Sequence, residues 1–127
     1  MTVKDIYKAS VILATGEADM DAYAGIAVEL FNLCLGKCFK ENNHLRLING
    51  KSPLVEMETV KSLDDYMPYE TELATALKYA LAAEILIADG ETDEGKHIIY
   101  TQMFTNEVNK WGHMAIEERV VDVYGAD

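Results

Sequence analysis

Two Glu-x-x-His spacings are the residues of this chain whose types and separation could do chemistry: Glu41 with His44, and Glu94 with His97. Side chains three apart on a helix share a face, so an acid and an imidazole placed this way can converge on one metal ion. Ferritin-like di-metal carboxylate bundles use two such pairs plus one Glu from each of the other two helices. Glu84, inside an otherwise apolar stretch, offers one of those extra ligands, but the first helical stretch offers no matching Glu. Both pairs also fall at helix ends, Glu41 to His44 where the second helix frays and Glu94 to His97 where the fourth opens, whereas such metal sites sit in mid-bundle. The pairs therefore read as chance spacings on solvated helix ends, and no metal or cofactor is expected. A carboxylate buried among apolar residues is costly unless paired or protonated. Glu84 is accordingly expected at the exposed edge of its helix or beside a lysine.

The remaining candidates are weaker. Cys34 and Cys38 lie four apart on a helical stretch, too strained a placement for a disulfide, and the single histidines His44, His97 and His113 do not complete a zinc set. They read as reduced, buried thiols. Ser10, Ser52 and Ser62 lack a nucleophile motif, and no glycine-rich phosphate loop is present. No catalysis is expected. Tyr100, Phe104 and Trp111 read as core or subunit interface rather than as a base-stacking platform.

Hydrophobic spacing supplies the elements that would carry these residues. Thr2 and Asp5 form a capping signal for a first helix from Val3, with an inner stripe of Val3, Ile6, Tyr7, Ser10, Val11 and Ala14 and a stop at Gly16. Asp19 or Asp21 can cap a second helix whose apolar face runs from Tyr23 to Leu35 and which reaches about Asn42. Alternation in 44–48 and 54–60, around Asn49-Gly50-Lys51-Ser52-Pro53, predicts a β-hairpin over 44–60. Pro68 opens a third helix, with Glu70 and Glu72 on its dipole and Gly90 as its stop. Its surface is apolar almost all round, which places it in the middle of the fold. A fourth helix starts near Asp93 and ends at Gly112, and residues 114–127 form an extended tail available to a partner. The expected architecture is all-α: one domain, 1–127, with a four-helix bundle in 1–113, the hairpin inserted between helices 2 and 3, and the tail.

Twenty-two acidic against eleven basic side chains give a formal charge of −11 over 127 residues, which argues against a surface that grips nucleic acid through its phosphates. No apolar run approaches the roughly 20 residues of a membrane span, and the N-terminus has no signal-peptide pattern, so the chain reads as cytoplasmic with no membrane partner.

The run Leu63-Asp64-Asp65-Tyr66-Met67-Pro68-Tyr69-Glu70, the Ala- and Leu-rich helix with Tyr79-Ala80-Leu81-Ala82-Ala83, then Asp89-Gly90-Glu91 and a helix bearing Tyr100 and Phe104 carry a resemblance. The chain resembles the head-to-tail connector (adaptor) proteins of tailed bacteriophages and prophages, most strongly from Leu63 to Trp111. The resemblance implies a structural virion protein at the head-tail interface, assembled in the host cytoplasm. It would form a ring, typically of twelve copies, beneath the portal protein, extend a channel through which DNA passes unbound, and offer a platform to a stopper or tail protein. By position in that pattern, partner contacts fall on Arg46 and Asn49 of the hairpin and on Val120, Val121, Val123 and Tyr124 of the tail. Two other readings are a ferritin-like di-metal oxidoreductase and a non-viral cytoplasmic interaction protein.

Overall fold

The computed structural model describes the backbone of residues 1–90 and 95–125, and the side chains of 1–90 and 95–111. Helix α1 (Val3–Thr15) opens where the sequence places it. The Asp5 carboxylate accepts the Thr2 N–H at 2.9 Å, and the next two free N–H groups, of Val3 and Lys4, donate to the carbonyls of Asp65 and Leu63 at 2.9 and 2.8 Å. The expected inner stripe is the buried face, and Gly16 ends the helix in the left-handed region at φ 82°, which a residue with a Cβ adopts only under strain.

Helix α2 (Ala24–Lys37) buries Ala27, Phe31, Cys34 and Leu35. It takes no side-chain cap, and Asp19 instead accepts the Asp21 N–H in a local turn. It does not reach Asn42. The backbone leaves the helical region at Cys38, and a separate helix α3 (Phe39–Ile48) follows. The first arm of the expected hairpin is thereby corrected. Alternation would place Leu45 and Leu47 on one face, but Leu45 is 1% exposed and Leu47 56%. Asn42 and Leu45, three apart, are the buried pair, which is the helical period. Five residues are too few to separate the two periods by inspection.

The second arm is also corrected. From Asn49 to Glu70 the chain is an irregular strap, and among the described residues the only β-pairing is an isolated bridge between Thr2 and Tyr66. Asparagine side chains take the place of a partner strand. Asn32 on α2 donates to the Val60 carbonyl and accepts the Val60 N–H, at 3.0 and 2.8 Å. Asn43 on α3 does the same for Leu54, at 3.1 and 2.8 Å, and Asn42 accepts the Glu70 N–H at 2.8 Å. Between these clamps Val55 stands 96% exposed.

Helix α4 (Ala74–Ala88) follows a 3-10 turn at Thr71–Leu73, so it begins after the expected entry at Pro68. Glu70 is extended (φ −62°, ψ 140°) because its N–H is held by Asn42 while the Tyr69 hydroxyl donates to the Leu35 carbonyl at 2.8 Å. These ties hold the chain out of the helix for its first residues. The central placement of this helix stands: it packs on α1, α2 and α5, with Leu77, Leu81 and Ile85 fully buried. Ser10 of α1 donates across to the Lys78 carbonyl at 3.0 Å.

Helix α5 (Lys96–Gly125) is tied to the end of α1, where the Tyr100 hydroxyl and Lys96 ammonium donate to the carbonyls of Leu13 and Ala14 at 2.8 and 3.2 Å. These are carbonyls that the last turn of α1 leaves without helical partners. The Tyr100 ring stacks on Tyr79 of α4 at 6.3 Å between centroids. The helix runs through Gly112, so the expected stop there and the extended tail from 114 are corrected. A glycine inside a helix costs only about 1 kcal/mol, which the turns on either side can offset. Among the described residues the fold is all-α with five helices in place of the expected four. The largest fully buried aliphatic residues of α4 include Leu81. Leu81→Ala is expected to lower unfolding free energy by about 2 to 5 kcal/mol in urea titrations, whereas a change under about 0.5 kcal/mol would displace α4 from the centre.

Candidate functional site

The strap closes on itself where the end of α3 meets the entry to α4, and there it forms a polar cleft of about 450 Å³. Glu70 is its hub. The residue is only 7% exposed, and its carboxylate accepts the Lys51 ammonium at 2.9 and 3.1 Å and the Asn49 amide at 2.9 Å. The second Asn49 amide proton goes to Glu72, also at 2.9 Å. Pro68 and Met67 supply an apolar wall, and Arg46 lines the opposite side. Its Nε donates to the Ser52 carbonyl at 2.7 Å, which fixes the plane of the guanidinium.

Burial opposes ionisation of Glu70. The hydrogen bonds from Asn49 and Lys51, with the charges of Lys51 and Arg46, outweigh it and hold the carboxyl below its ordinary value of 4.5. The arrangement is a charge-assisted network that stays ionised at neutral pH. Two acids and two bases balance inside a chain that carries −11 overall.

Of the residues expected to meet partners, Arg46 and Asn49 come together in this cleft, although on a helix end and a strap rather than on a hairpin. The side chains of Val120, Val121, Val123 and Tyr124 lie outside the described residues. Sequence reasoning missed Lys51 and took Glu70 for a helix-dipole residue. The legible signal was Asn42, Asn43 and Asn49, three poor helix formers within eight positions at the end of α3.

The described residues carry only part of the metal pattern. Glu41 and His44 share α3, Glu94 lies outside the described residues, and the Glu84 carboxylate is paired with the Lys37 ammonium of α2, the lysine partner expected for it. Among the described residues no group of three or more His, Cys, Asp or Glu side chains is placed to hold a metal ion. Burial pushes the thiols of Cys34 and Cys38 up to about 12, and both cysteines are unbridged. Such thiols are protonated and unreactive at neutral pH. Among the described residues, no helix is long and apolar enough to cross a membrane.

Compared with protein-family models, with curated proteins and with solved structures, the chain gave no match.

A lowered folded-state pKa at Glu70 means that its contribution to stability is present above about pH 4.5 and is lost as pH falls through the lowered value. Glu70→Gln should therefore flatten the loss of stability below pH 4.5, measured by urea midpoints from pH 7 to 3. Parallel curves for the two proteins would show that the carboxylate is not held ionised by this network.

Proposed function

We propose that this chain is a structural subunit, a head-to-tail connector (adaptor) of a tailed bacteriophage or prophage, with no catalytic role. The reading starts from the resemblance carried by residues Leu63 to Trp111. The structural observation that supports it most is that large apolar side chains of α1, α4 and α5 are left in water. Ile87 closes α4, and Ile98 and Ile99 open α5, each more than half exposed. The bonds from Lys96 and Tyr100 to the carbonyls of Ala14 and Leu13 bring the end of α1, with exposed Ile12, to the start of α5. Exposed apolar side chains of this size are the kind of group that an assembly can cover.

In this reading copies of the chain pack into a ring, with twelve as the expected number, on a portal protein. The opposite side of the ring receives a stopper or tail protein, and the working location is the virion. The acidic excess suits a conduit, because a negatively charged wall repels phosphates and lets DNA pass without adhering. The cleft at Arg46 and Asn49 and the C-terminal half of α5 are the proposed partner contacts.

The di-metal alternative needs Glu84, which Lys37 already holds. The interaction-protein alternative shares the exposed end and differs in its partner. Mass measurement in solution, alone and with a phage portal protein, separates them. The connector reading expects a ring-sized complex on the portal, and Ile98→Asp with Ile99→Asp should abolish it while leaving helical circular dichroism intact. A chain that stays single and unbound in the presence of portal would overturn the reading.

A further inference from the structure

Arg46 is the unused group of the cleft. Its Nε is committed to the Ser52 carbonyl, and among the described residues its guanidinium makes no other hydrogen bond. A guanidinium fixed in plane by one bond keeps two outward N–H groups in the fork geometry that matches a carboxylate. The Lys51 ammonium, by contrast, is spent on both oxygens of Glu70, and both Asn49 amide protons are taken by Glu70 and Glu72.

We propose that this cleft binds a short peptide segment of another protein through an Asp or Glu side chain placed on the Arg46 fork, with a neighbouring apolar side chain laid against Met67 and Pro68. The proposal stands on the cleft alone and holds whether or not the chain is a connector subunit. Charge favours this occupant. On a surface of net −11 most positions repel an acid, but here the four charged groups balance, Lys51 is paired with Glu70, and the Arg46 guanidinium has donors to offer the incoming group. The Met67 and Pro68 lining discriminates further, because a peptide can lay an apolar side chain there and inorganic phosphate cannot. A cleft of about 450 Å³ holds one or two side chains, not a folded domain.

The test uses the isotope-labelled full chain and two blocked dipeptides, acetyl-Leu-Asp-amide and acetyl-Leu-Asn-amide, with inorganic phosphate as a third probe. The Asp peptide is expected to shift the Arg46 Nε–H resonance and the amides of residues 69–72. It should saturate at about tenfold lower concentration than the Asn peptide or phosphate, the size expected for a charge-assisted pair. Arg46→Gln should erase the preference for Asp. Arg46→Lys keeps the charge without the fork, and a weakened preference is expected, which carries the comparison if the Gln variant does not fold. Equal saturation by the Asp and Asn peptides, no response to either, or tighter binding of phosphate would overturn the proposal.

Discussion

The constraint on which the rest of this structure depends is the need to satisfy the backbone of a long strap that has no strand beside it. A backbone N–H or C=O removed from water without a partner costs about 1 to 3 kcal/mol, and on the strap that cost falls where it is buried, at Val60, Tyr69 and Glu70. Amide side chains solve the problem because each offers one donor and one acceptor with the spacing of a peptide group. Asn32 and Asn43 each take both groups of a single strap residue, Val60 and Leu54, and Asn42 takes the N–H of Glu70. The strap is thus pinned at three points to α2 and α3, and everything downstream inherits its path. The carbonyls of Leu63 and Asp65 reach the start of α1, and Glu70 is delivered into the cleft.

The pins explain which parts of the fold were legible in the residues alone. Helix α1 was readable in full, because its start, stripe and stop are local: Thr2 with Asp5, an apolar repeat every three or four positions, and Gly16. The centrality of α4 was readable from its all-round apolar surface. What failed was non-local. The alternation in Leu54 to Val60 suggests a strand, but nothing local says that this segment is irregular and that its partners are asparagines ten or more positions away. Pro68 is a sound helix entry by its own geometry, yet the ties of Tyr69 to Leu35 and of Glu70 to Asn42 postpone the helix past Leu73. The same distance effect hid the site. Lys51 and Glu70 are far apart in sequence and carry no shared motif, so Glu70 looked like a first-turn acid and Lys51 like a turn residue.

The cleft and the isoleucine end are separate features of one architecture. At the end formed by α1, α4 and α5, hydrogen bonds to the last carbonyls of α1 hold the helices together while isoleucines stay in water. At the cleft, four charged groups balance in a chain with a large negative excess, and among the described residues the Arg46 guanidinium makes one hydrogen bond and keeps donors in reserve. The proposed connector would use the two differently, the apolar side chains for like copies and the charged cleft for a different partner. The thiols of Cys34 and Cys38 are buried and protonated, and Lys37 pairs with Glu84 across α2 and α4.

Hydrogen exchange at single-residue resolution tests the central claim most directly, because it reads the asparagine pins one amide at a time. The amides of Leu54, Val60 and Glu70 should exchange slowly in the native protein, while those of Val55, Glu56 and Met57 between them exchange freely. Equal exchange across the whole strap would contradict the account, since it would mean that the asparagine side chains do not hold this backbone in place.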